Sequence, residues 1–326
     1  MTYRRDTTLT QSTAAVPLTS RPKTILSVGF AFAASNVLIS ALQPVITRYG
    51  ALKIDALLFC GISVLFAAVC AAVMLALTGE LWPLADRRYL PRLFLVSMSG
   101  TVATTLTLIY GLQHLDAVAA VILLESEPIY SLLMARVFLH ERPSQRQLIA
   151  TATILSGIGW VFGGGRAFEP IYAAALIVVT PMFWQTAHVI SLGVMPPLTP
   201  RVITGARYIY AALVFAVILL VLDRPALPEL ASPAILAPIA FTGMFVYFVG
   251  SFTWYGAISR LSLAWTTAFV IPAIPIVSFI FAMVFLGERP SSREIAGIAV
   301  AVTGVLLLVI GTDSSRGPVT APAVYE

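Results

Sequence analysis

Charge is what this sequence has least of. Only 11% of its 326 residues are Asp, Glu, Lys or Arg, against roughly 25% in an ordinary soluble domain. That shortage excludes a chain able to cover itself with polar surface in water. Cysteine is almost missing too: Cys60 and Cys70 are the only two, ten residues apart in one apolar run and so on different helix faces. They provide neither a disulfide framework nor a metal-ligand set. The three histidines, His114, His140 and His188, are scattered, and there is no HExxH and no convincing Ser/His/Asp pattern, which counts against a membrane-embedded enzyme. GxxxxGK[ST] is absent, so this chain does not hydrolyse ATP. The net charge is +5, yet no basic aromatic patch stands outside the apolar runs to hold nucleic acid. No loop or tail is large enough for a folded sensor domain.

What fills the sequence instead is hydrocarbon. Hydrophobic residues make up 59%, in blocks of about the 20 residues that a helix needs to cross a bilayer core. The blocks run over residues 24–47, 54–78, 92–112, 116–138, 145–163, 170–190, 201–222, 233–257, 261–286 and 292–311. Lipid leaves no free backbone donor or acceptor satisfied, and the blocks lack period-two alternation, so they predict ten helices rather than barrel strands. The fold class expected is all-α integral membrane. Residues 1–23 read as a retained, flexible tail, because the block that follows is too long for a signal-peptide core. Residues 312–326 read as a second tail.

Charge also orients the chain. With the N-terminus in the cytoplasm, the inside segments carry twelve Lys or Arg and the outside loops six, namely Arg48, Lys53, Arg166, Arg224, Arg289 and Arg293. The positive-inside bias therefore places both termini in the cytoplasm.

One decapeptide occurs twice. FLHERPSQRQ at 138–147 returns as FLGERPSSRE at 285–294, identical at seven of ten positions. Tyr110-Gly111 precedes the first copy and Tyr255-Gly256 the second, Pro128 matches Pro275, and Gly157 matches Gly304 at a constant offset of 147. The chain is thus a diverged duplication of a five-helix unit, over 24–163 and 170–311. Five spans separate the copies, and an odd number puts them on opposite sides. The halves are inverted, which also accounts for Arg289 and Arg293 opposing the charge bias. Within each copy a proline stops one helix, and Ser144 with Gln147, or Ser291 with Glu294, forms a capping box for the next. Glu141 and Glu288 then read as solvated interface charges. Inverted repeats frame a cavity that opens to either side by rocking one half on the other, the architecture of alternating-access carriers.

At these residues the chain resembles the EamA-type branch of the drug/metabolite transporter superfamily, over about residues 24–311. The marks are EPIYSLLMARVFLHERPS at 127–144 and IPIVSFIFAMVFLGERPS at 274–291, each followed by a glycine-bearing block. The resemblance implies a multi-pass carrier of the bacterial inner membrane, often an exporter of amino acids or related metabolites. It also implies a central cavity lined by helices 1, 3, 4, 6, 8 and 9. Glutamate before this proline is frequent in the family, as is an arginine near Arg207; the matching stretch of the second block, LLFCGIS, has none.

The candidate binding residues are the polar and aromatic groups inside the blocks. Glu125 and Glu127 lie near the middle of the fourth, where an ionised carboxylate costs roughly 2.5–3.5 kcal/mol on insertion scales. Two residues apart, they are about 200° apart on a regular helix and should not share a target. Glu127, on the face of Tyr130, Ser131 and Ala120, is assigned to the cavity. A carboxyl there either binds and releases a proton, which makes protons candidate coupling ions, or stays protonated and donates one hydrogen bond. Pro128 frees the Leu124 carbonyl or simply kinks the helix. Trp184, Gln185 and His188 of the sixth block form a group suited to a small zwitterion. Tyr247, Ser251 and Trp254 form one stripe of the eighth, and Asn36 and Tyr110 complete the candidate lining. Arg207 either meets an anion or, the preferred reading, snorkels toward the cytoplasmic face. A small-molecule substrate and membrane lipid are the expected partners, a homodimer is a candidate assembly, and no cofactor or metal is expected.

Overall fold

The computed structural model describes residues 23–138, 144–162, 170–194, 197–221, 232–261 and 263–310. Both tails, Glu141, Arg142, Arg166, Arg224 and the side chain of Ser131 lie outside what it describes. Among the described residues there are helices and no strands.

The apolar runs become helices α1 (Lys23–Lys53), α2 (Ala56–Thr78), α3 (Leu90–Ser97) and α4 (Thr104–Leu112), then α5 (Ala117–Leu124), α6 (Glu127–Phe138) and α7 (Gln145–Phe162). After these come α8 (Ile171–Leu192), α9 (Pro200–Val221), α10 (Pro233–Phe241), α11 (Gly250–Arg260), α12 (Leu263–Phe281) and α13 (Ser292–Ile310). A π turn, Met98–Ala103, joins α3 to α4; a second, Thr242–Val249, joins α10 to α11; a third, Ala282–Leu286, extends α12. Among the described residues, eight helical stretches are long and apolar enough to cross a membrane: 27–53, 56–78, 90–112, 117–134, 171–191, 200–221, 233–254 and 269–286.

Local chemistry sets the helix ends. Asp55 accepts from Leu58 N at 3.0 Å and Asp116 from Ala119 N at 2.6 Å, each satisfying a first-turn donor. Both expected capping boxes form: Ser144 N donates to Gln147 Oε1 at 2.8 Å, and Ser291 N to Glu294 Oε2 at 2.7 Å. Glu288 requires a correction. It is not simply a solvated charge, because its two oxygens accept from Ala117 N at 3.0 Å and Val118 N at 3.1 Å, closing the start of α5 from the far end of α12. Burial raises its carboxyl above the ordinary range, and those two N–H groups pull the other way.

The fourth block also departs from the single helix expected. Glu125 N bonds Ile122 O, Ser126 N bonds Leu123 O and Ile129 N bonds Ser126 O, each three residues back, so α5 ends and α6 begins between the two glutamates. Pro128, with no N–H to donate, suits that interruption.

In packing, α1 lies on α11 and α12, α8 lies on α3 to α6, α2 lies on α9, and α7 lies on α13. In lipid, helices associate through close backbone approach and interhelical hydrogen bonds rather than burial from water. Gly157 shows the first: a Cβ there would lie 2.6 Å from Ala301 N and 2.7 Å from Gly297 O, while at Gly304 it would lie 2.8 Å from Ile154 N and 2.9 Å from Ala150 O. As the residue number rises along α7 it falls along α13, so the two cross antiparallel. Hydrogen bonds show the second: Ser63 Oγ donates to Ile239 O at 3.1 Å, Ser278 Oγ to Ala41 O at 2.9 Å, and Thr107 and Thr180 share one at 2.7 Å. The fully buried Phe59 and Phe215 anchor the apolar contact of α2 with α9.

Candidate functional site

A cavity of about 220 Å³ opens between the helices, with walls from α1, α4, α5, α6, α8, α9, α11, α12 and two of the π turns. It falls just below the roughly 300–1,000 Å³ usual for pockets of drug-sized ligands, a scale suited to a small metabolite.

Both glutamates reach it. The expectation that only one would do so assumed an unbroken helix; the three-residue bonds at Glu125 and Ser126 redirect the axis between them. Glu127 Oε1 accepts from Gln185 Nε2 at 2.8 Å. Gln185 therefore acts from behind the wall, while its neighbours Trp184 and His188, one turn apart on α8, stand on it.

Asn36 lines the cavity and also ties helices together: its Nδ2 donates to Gly250 O at 2.9 Å and to Thr253 Oγ1 at 3.2 Å. Tyr247, Ser251 and Trp254 line it as a stripe. Tyr110 does not; it packs against the cluster around Phe59 and Phe215.

Sequence reasoning missed part of this wall. Arg207 does not snorkel away: it lines the cavity, and its Nη2 donates to Gly100 O. Tyr208 stands beside it, stacked on Tyr247 with centroids 6.3 Å apart and planes 8° apart, its hydroxyl 2.7 Å from Ser251 Oγ. Ser40, Gln43, Thr101, Thr104, Thr105 and Ser278 add hydroxyls and an amide. A lone arginine in an apolar block was a visible signal; its direction was not. The family-implied lining by helices 1, 3, 4, 6, 8 and 9 is met by α1, α4, α5, α8, α11 and α12, with α9 in addition.

Two of the π turns border the cavity, with Gly100 and Thr101 in one and Val246 and Tyr247 in the other. A π turn shifts the ladder to i→i+5 and loosens local carbonyls, a device common at functional positions. Among the described residues no group of three or more His, Cys, Asp or Glu is placed to hold a metal ion.

A bundle of apolar helices around an internal polar cavity defines a multi-pass membrane protein with a solute-sized site. The family model of the EamA-like transporter family matches residues 27–163 and again 171–310, and the chain belongs to that family. It is 29% identical over 262 residues to a probable terminal-alkyne amino-acid exporter of Streptantibioticus cattleyicolor, covering 77% of this chain and 84% of that one. It is 23% identical over 225 residues to an uncharacterized transporter of Archaeoglobus fulgidus, covering 68% and 78%. A protein of solved crystal structure shares the fold with a TM-score of 0.63 at 14% identity, over 89% of this chain and 98% of that one.

Proposed function

We propose that the chain is a secondary carrier that exports a small organic metabolite, an amino acid or a related compound, by alternating access across the bacterial inner membrane. Ten membrane helices form two inverted five-helix repeats, residues 24–163 and 170–311, with both termini in the cytoplasm. The observation that carries this reading is the polar cavity, which draws Asn36, Glu125 and Glu127 from one half and Trp184, His188, Tyr247, Ser251 and Trp254 from the other.

Three features support the inversion. Ala150, Ile154 and Gly157 stand 147 residues before Gly297, Ala301 and Gly304, and the α7–α13 contacts map onto themselves under that shift while the helices cross antiparallel. The packing of α1 on α11 and α12 has its counterpart in that of α8 on α4 and α5. The π turns at 98–103 and 242–249 occupy matching places in the two halves. Axes of this kind, lying in the membrane plane, underlie rocking carriers. The relative named for amino-acid export supports the substrate class.

Glu127, held by Gln185 on the cavity wall, is the candidate proton carrier. Purified protein in liposomes loaded with an amino-acid mixture tests the function: solute loss above protein-free vesicles is expected, and equal loss from both would sink the reading.

A further inference from the structure

Arg207 enters the cavity from α9, and among the described residues no acidic side chain pairs with it. Its backbone carbonyl accepts from Ser97 Oγ at 2.8 Å, and its guanidinium donates to Gly100 O in the π turn. Glycine eases that approach, since a Cβ at position 100 would lie 3.3 Å from Nε and from Nη2, and would clash with Ala187 Cβ at 2.6 Å. Nε is buried without a hydrogen-bond partner.

On the α5 side of the same cavity Glu125 is 7% exposed, and its Oε2 is likewise buried without a partner. Among the described residues no ion pair joins Arg207 to Glu125 or to any other acid. A guanidinium is always charged; half-buried, with the Tyr208 ring 5.9 Å away and no acid paired with it among the described residues, it calls for a counter-charge. Glu127 Oε1 is engaged by Gln185, whereas Glu125 Oε2 has no partner, so Glu125 is the acid of this wall with an unengaged buried oxygen.

The geometry points to a zwitterion clamp, in which Arg207 receives the solute's carboxylate and Glu125 its ammonium group, while Val246, Val270, Ile271 and Ile274 offer apolar wall to its side chain. This rests on the carrier reading and adds the polarity of the site. An amine lacking the carboxylate leaves Arg207 unmatched, and an acid lacking the amine leaves Glu125 unmatched. Sites with polar groups left unpaired reject such analogues strongly.

The test uses the full chain in liposomes loaded with three equimolar series: L-amino acids, the amines formed by decarboxylating them, and the acids in which hydrogen replaces the amino group. Mass spectrometry follows release. Amino acids are expected to leave at least tenfold faster than either single-charge series, Arg207→Gln to bring each amino acid down to the rate of its amine, Glu125→Gln to bring it down to the rate of its acid, and Arg207→Lys to keep part of the preference. Amines or acids leaving as fast as amino acids, or Arg207→Gln slowing all three series alike, would overturn the clamp and leave the carrier standing. Release of none of the series would overturn both. If Arg207→Gln does not fold, the wild-type ratio and Arg207→Lys decide.

Discussion

Gln185 Nε2 lies 2.8 Å from Glu127 Oε1, a hydrogen bond from α8 to the first residue of α6 that joins the two halves of the chain at the cavity wall. It fixes the carboxyl beside the helix break on the cavity wall.

Glu127→Gln is therefore expected to remove pH-driven solute movement while the protein still folds and inserts. Solute exchange without a pH gradient survives. Flux in liposomes with and without an imposed gradient checks both; unchanged pH dependence rejects the proton role.

Gly157→Leu and Gly304→Leu are expected to damage the same interface, because each side chain would meet the backbone of the opposite helix. Overpacking of this kind costs about 1–3 kcal/mol. Thermal melting in detergent should show similar losses for both, and a large difference between them would contradict the reciprocal contact.

Asn36→Leu removes the bonds to Gly250 O and Thr253 Oγ1. Interhelical hydrogen bonds in membranes average about 0.6 kcal/mol, so the loss in stability should be small and the loss in transport larger. Melting and flux measured on one preparation separate the two.

At one end of the bundle Arg201 pairs with Glu80 through bonds of 2.7 and 3.0 Å. The Arg201 hydrogen bond holds the Glu80 carboxyl below its ordinary 4.5. The pair's stabilisation is thus complete above 4.5 and lost as pH falls through the lower folded value. As an exposed pair it contributes at most about 1 kcal/mol. Glu80→Gln should melt slightly below wild type at pH 7, and the gap should close once the pH falls below the depressed Glu80 value; a gap that persists in strong acid contradicts the assignment.

Inversion has its own test. In a variant with Cys60 and Cys70 replaced by alanine, single cysteines at Ser144 and Ser292, both exposed, should react with a membrane-impermeant thiol reagent from opposite sides. Labelling from one side only removes the inverted architecture.

How far the residues alone foretold this molecule depends on how local each feature is. The apolar blocks, the capping boxes at Ser144 and Ser291 and the 147-residue echo are written in neighbouring residues, because a helix crossing lipid needs only a long apolar run and its ends need only a nearby side chain. Eight of the ten candidate residues line the cavity, Glu125 among them against expectation, because polar and aromatic groups inside apolar blocks are few; Tyr110 and Gln185 satisfied the same criterion and stand elsewhere.

What only the tertiary structure decided was direction. The break at Glu125 and Ser126 brings two carboxyl groups to one cavity, the π turn bares the Gly100 carbonyl, and Arg207 turns inward onto it. Each outcome depends on what the facing helix leaves unfilled, here the space beside Gly100 and Ala187, and no run of residues along one helix carries that information.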